Sequence, residues 1–167
     1  MKRGTTGDPR HAEILRMLDP DPGQRLWFGG ATPLGSLRGV RAAQAAWRPA
    51  QDRHSIWELT LHLAYWKYAV RRNLDGSPRG GFPRSPSNWP RQPEPPTEAA
   101  WREDRALFRA EHQAFIAAVR AFDPDRLDEP ARGGTYSYAE LLHGVIMHDT
   151  YHVGQIQLLK RLHGSLS

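Results

Sequence analysis

His148 and His152 stand four residues apart in the run Glu140-Leu-Leu-His-Gly-Val-Ile-Met-His-Asp-Thr-Tyr-His-Val-Gly-Gln-Ile-Gln-Leu-Leu-Lys160. On an α-helix that spacing stacks two imidazoles on one face, where they can share a metal ion. Spacing alone says little: with 8 His in 167 residues, chance supplies roughly 0.3 such pairs. The surrounding face says more. Within about 60° of His148 on a helical projection lie Leu141, Gly144, Val145, Tyr151, His152, Gln155 and Leu159. Apart from the histidines, Gln155 and the Tyr151 hydroxyl, that face is apolar, so it is expected to look inward. A buried imidazole without a partner costs on the order of 1 to 3 kcal/mol. A metal satisfies both rings at once; a backbone carbonyl or carboxylate for each is the alternative.

A third histidine, His62, shares a helical face with Glu58, Trp66 and Ala69, with Leu59 and Tyr65 near its edge. Facing helices of a bundle project ligands toward one another, which places His62 opposite the pair. Three neutral imidazoles leave one position open on a tetrahedral ion and up to three on an octahedral one. Such an ion can lower the pKa of bound water, hold a thiolate or polarise a carbonyl. Gln155, one turn beyond His152, is placed either to orient a ligand or bound water or to cap a buried polar contact. Asp149 lies about 100° off this face, which suits an outer contact to an imidazole N–H and not a ligand. Glu58 is within reach of the site, but its position also fits a helix cap. Trp66, Tyr65, Tyr151 and Trp89 are the aromatic residues that would wall a substrate cavity, or else pack as core. His54 precedes a helix cap and belongs to a surface turn; His11, His112, His143 and His163 have no partner at ligand spacing.

The elements that must position these residues are legible from caps and periodicity. Ser55-Ile-Trp-Glu58 is a capping box, followed by a Gly- and Pro-free stretch from Leu59 to Leu74 and a stop at Gly76. Apolar residues surround much of this helix, so burial on more than one side is expected. Residues 76–97 hold seven of the chain's fourteen prolines, a density that excludes regular structure. Phe82 and Trp89 suit a loop that packs back onto the body. From Thr97 to Phe122 apolar residues recur at helical spacing, and Ser137-Tyr-Ala-Glu140 is a second capping box that starts a helix reaching about Leu162. Leu34 to Trp47 reads as a first helix broken near Gly39 and ended by Pro49. Residues 1–31 are rich in Gly, Pro and charge, with a helical patch at His11 to Leu18 and the Trp27-Phe28 pair, and read as a loosely attached arm. The expected architecture is all-α: a four-helix bundle over residues 32–167, with the irregular N-terminal arm and a long Pro-rich loop between helices 2 and 3.

Zero cysteines leave His, Asp and Glu as the candidate ligands, so any metal has N/O donors. The net charge of +5 comes with 20 Arg among 23 basic residues. These are scattered among acids and form no basic stripe, which argues against nucleic acid as a partner. No membrane span is expected, and the charged start lacks the apolar segment of a secretory signal, so the expected compartment is the cytoplasm.

The runs His54-Ser-Ile-Trp-Glu-Leu-Thr-Leu-His-Leu-Ala-Tyr-Trp66 and His148-Asp-Thr-Tyr-His-Val-Gly-Gln-Ile156, with the Trp89-Pro90 loop, resemble the DinB and YfiT-like superfamily of four-helix metalloproteins, over residues 33 to 162. The resemblance implies His62, His148 and His152 as metal ligands, nickel or zinc as the ion with iron or manganese as alternatives, and a homodimer. It further implies a small-molecule substrate and a metal-dependent hydrolase, or a transferase that uses a low-molecular-weight thiol. The competing expectation is a non-catalytic, metal-stabilised dimeric bundle that works in partner binding or stress response.

Overall fold

Two reciprocal caps begin the two helices that carry the histidines. Ser55 Oγ accepts from the Glu58 N–H while the Glu58 carboxylate accepts from the Ser55 N–H, starting the helix Ile56–Asp75. Ser137 and Glu140 make the same exchange at the start of Tyr138–Gly164. Each box satisfies two of the N–H groups that a helix start otherwise leaves open. Gly76 closes the first of these helices at φ 69, in the left-handed region where a side chain would be strained.

The computed structural model describes residues 8–21, 31–78 and 80–165, and every regular element among them is helical. In chain order these are α1 (Pro9–Leu18), α2 (Pro33–Ser36), α3 (Ala42–Ala46), α4 (Ile56–Asp75), α5 (Glu98–Ala121) and α6 (Tyr138–Gly164), with a single 3₁₀ turn at Pro124–Arg126. The all-α bundle expected from periodicity is present: α4, α5 and α6 are its long members. The broken first helix takes the form of α2 and α3, parted around Gly39 at φ 75. Lys160 Nζ donates to the Ser36 and Arg38 carbonyls, and Trp101 Nε1–H donates to the Val40 carbonyl at 2.9 Å, which fix this segment to α6 and α5. No helix among the described residues is long and apolar enough to cross a membrane.

The loose arm expected before the bundle is corrected over Pro9–Leu18. Ile14 and Leu18 are buried in the same cluster as Phe115, Val119 and Leu142. Spaced four apart, they form a short apolar stripe that α1 lays on α5 and α6. The Trp27-Phe28 pair lies outside the described residues. α6, expected to reach about Leu162, runs on through Gly164, with Ser165 at its C-cap.

The core is split in two. One cluster gathers Val70, Leu74, Phe115, Val119, Leu142 and Val145, and the other Ile56, Trp57, Leu61, Trp101, Phe108 and Ile156. Between them runs a polar layer with one residue from each long helix: Lys67 on α4, His112 on α5 and Asp149 on α6, all buried. Lys67 Nζ donates to Asp149 Oδ2 and sits 4.9 Å from the centre of the Phe115 ring. Burial pulls the Lys67 ammonium below its usual range, against the pull of Asp149. Asp149 Oδ1 and His112 Nδ1 are buried without a hydrogen-bond partner among the described residues.

Burial, helped by the Lys67 charge, pushes His112 down to about 4. An unfolded histidine titrates near 6.5, so between that pH and about 4 the unfolded chain binds more protons and stability falls with falling pH. We expect His112 to contribute on the order of 2 to 3 kcal/mol to this loss. Urea unfolding of the wild type and His112→Leu across pH 7 to 4 measures it: the variant should show the shallower decline, and parallel curves would refute the assignment.

Candidate metal centre

Next to this polar layer α4 and α6 bring their histidines together. His62 comes from the middle of α4, His148 and His152 from successive turns of α6, and a ligand nitrogen from each lies within 4.8 Å of the others. His62 and His152 are buried and His148 is half-buried. Among the described residues no carboxylate joins this cluster.

The outer nitrogens decide what the inner ones do. His62 Nδ1–H donates to the Asn88 carbonyl at 2.6 Å, and His152 Nδ1–H donates to Gln155 Oε1, also at 2.6 Å. A neutral imidazole that donates from Nδ1 carries its lone pair on Nε2. Both bonds therefore aim an Nε2 lone pair into the cluster, where His62 Nε2 meets His148 Nε2 at 3.0 Å. Nitrogens that bind one ion at about 2.0 to 2.1 Å sit about 3 Å apart, so this separation suits a shared cation. Oriented, neutral imidazoles with their far N–H groups held are what a divalent ion requires, and the residues fit one.

Electrostatics favour the same state. Burial pushes His62 down to about 4, against the opposing effect of the Asn88 carbonyl, with His152 and His54 adding to the drop. Burial, then the proximity of His152 and His62, pushes His148 down to about 3. His152 is lowered by burial against the pull of Gln155. Near pH 7 all three rings are neutral, so a metal need not displace protons to bind.

The Pro-rich loop is part of this centre. Trp89 inserts its indole between two imidazoles, stacked on His62 at 3.7 Å and on His54 at 3.8 Å with nearly parallel planes. The loop is held to the body by Ser55 Oγ donating to Gln92 Oε1 at 2.6 Å, Gln92 Nε2 donating to the Ala46 carbonyl, and an Arg84–Asp104 ion pair at 2.7 Å. Asn88 and Trp89 thus fix His62 from one side through backbone and ring contacts. This role was not visible in the sequence, because a loop contact 26 residues from its partner has no periodicity to reveal it.

The other aromatic candidates surround the histidines at different depths. Trp66 lies edge-on to His62 and His148 and is 38% exposed, and Tyr65 packs between Trp66 and Phe82. Tyr151 meets His152 edge-on with centroids 5.0 Å apart and is 64% exposed. Glu58 acts as a cap: its carboxylate takes the Ser55 N–H and an Arg48 guanidinium at 2.6 Å, which accounts for both oxygens. Asp149 stays off the metal face, as its angle on the helix indicates, and its Oδ2 accepts from the buried Lys67 ammonium and not from an imidazole N–H. His143 hydrogen-bonds the Ala139 carbonyl within its own helix, and His11 the Val119 carbonyl.

Neither the curated proteins nor the solved structures contain a match to the chain. The family model described as the DinB superfamily matches residues 33–156, a span that runs from the first residue of α2 through α4 with His62 to α6 with His148 and His152. With a match over most of its length and a histidine triad that fits a metal site, the chain belongs to the DinB superfamily.

Proposed function

We propose that this protein binds a divalent ion, nickel or zinc, through His62, His148 and His152, and uses the open positions as a metal-dependent hydrolase or a thiol-dependent transferase. The observation that carries the reading is the pair of Nε2 atoms 3.0 Å apart, with the far nitrogens of His62 and His152 already held by Asn88 and Gln155. A bound ion supplies Lewis acidity, which serves to activate water or to stabilise a thiolate. The residues supply orientation and shelter. Asn88 and Gln155 hold tautomers, Trp89 covers one face of His62, and Trp66 and Tyr151 flank the solvent side as walls for a small-molecule substrate. With no carboxylate in the cluster among the described residues, proton transfer falls to solvent or to the substrate's own groups.

The second reading is a metal-stabilised homodimer without turnover. Met147, Tyr151, Leu158 and Leu162 are 72%, 64%, 57% and 43% exposed, and on α6 they share one face. Gly144 and Gly154 lie on that face with open space where a Cβ would stand, which lets a second helix approach closely. The occupant we assign is the same face of a second copy, an isologous contact. One experiment separates the readings: sedimentation together with a panel of ester substrates and thiol acceptors, run on the metal-loaded wild type and a Met147→Glu/Leu158→Glu variant. Turnover in either oligomeric form supports the catalytic reading. A dimer that the variant dissociates, with no turnover in the wild type, supports the structural one.

A further inference from the structure

Beyond the histidines, the far end of α4 carries a cleft. Ala69, Arg72, Asn73, Ser77 and Arg132 line an open cleft of about 320 Å³. Two of the five lining residues are arginines and none is acidic.

The cleft is held in shape by its own turn. Asn73 Nδ2 donates to the Arg132 carbonyl at 2.8 Å and Asn73 Oδ1 accepts from the Arg132 N–H at 3.0 Å, which ties the α5–α6 connection to the last turn of α4. Arg132 Nη1 donates to the Gly76 carbonyl at 3.2 Å, and Arg72 Nε donates to the Pro78 carbonyl at 2.9 Å. The Arg72 guanidinium also lies 5.2 Å from the centre of the Tyr68 ring. Each guanidinium therefore spends one nitrogen on a backbone carbonyl and keeps the others. Neither Arg72 nor Arg132 enters an ion pair among the described residues, although eight other arginines do. The nearest carboxylate in sequence, Asp75, is taken by the Ser77 N–H and by Arg71.

We propose that this cleft binds the carboxylate or phosphate group of a small-molecule ligand. Paired guanidiniums with unused, pre-positioned N–H groups match the two-oxygen edge of such an anion. Ala69 and Asn73 lie within about 20° of His62 on the surface of α4, the latter about 16 Å along the axis. An anion held here is the end of a ligand whose remainder extends along the α4 surface toward the histidines. That direction rests on the function proposed above; anion binding itself does not.

The test is a titration of ¹⁵N-labelled protein with inorganic phosphate and with succinate at constant ionic strength, followed at the backbone N–H groups of Asn73, Ser77 and Arg132. The expected result is saturable binding that weakens at least tenfold in Arg72→Gln/Arg132→Gln and is unchanged in a variant with all three site histidines replaced by alanine. The tighter of the two probes identifies the group. Arg72→Lys/Arg132→Lys retains the charge, so it guards against misfolding of the Gln variant; it should bind at least fivefold more weakly than wild type because the fork is gone. Shifts that do not saturate, or that are equal in wild type and the Lys variant, would overturn the proposal.

Discussion

Replacing Lys67 by methionine is expected to destabilise the protein by about 3 to 5 kcal/mol, the usual consequence of removing one partner of a buried ion pair. The reason lies in what is left behind. Asp149 Oδ1 has no hydrogen-bond partner, and Oδ2 relies on Lys67 Nζ. Without Lys67 the buried carboxylate loses that one contact. In a domain of this size the loss corresponds to a fall in Tm on the order of 10 °C. A Lys67→Met/Asp149→Leu variant removes both charges and should recover most of it, since well-packed apolar residues often replace a buried pair at little cost. Chemical denaturation of the single and double variants measures both. A double variant as unstable as the single would show that the loss came from packing and not from the stranded charge.

Replacing His148 by alanine should weaken metal binding by more than the roughly 10- to 100-fold that follows loss of an outer contact. His148 faces His62 directly, and it comes from the α6 turn before His152, so two ligands in chelating register become one. Gln155→Ala provides the graded comparison. It leaves all three ligand nitrogens in place and removes only the acceptor of the His152 Nδ1–H, so a loss within that 10- to 100-fold range is expected. Competition against a chromogenic chelator at pH 7 ranks the two variants. Equal affinities in wild type and His148→Ala would remove His148 from the centre.

The parts of the molecule that could be read in advance are those in which chemistry repeats along a helix. The Ser-x-x-Glu boxes at Ser55 and Ser137 and the glycine at 76 marked α4 and α6, and the four-residue spacing of His148 and His152 on an apolar face marked where they would point. Parts that depend on contacts distant in sequence could not be read this way. Lys67 stands between Trp66 and Tyr68 in a helix recognised as buried on more than one side, yet nothing in that local run names a partner for its ammonium until Asp149 is seen opposite it. Asp149 does lie off the metal face, as its helical angle requires, but no spacing along the chain names Lys67 as the residue it meets. By residue type Trp89 suits a substrate wall or packing against the body; the two imidazoles it stacks on follow from the path of a loop that no pattern encodes. α1 lies in a stretch whose Gly, Pro and charge content reads as a loose arm, and Ile14 and Leu18 suffice to dock it because Phe115, Val119 and Leu142 present an apolar surface for them.

In the function proposed above, three imidazoles on two facing helices hold one ion. Elemental analysis after loading with nickel or zinc and removal of excess metal tests it directly, on the wild type and on His62→Ala/His148→Ala/His152→Ala. About one ion per folded wild-type chain and none in the variant is the predicted result. The same stoichiometry in both proteins would contradict the account.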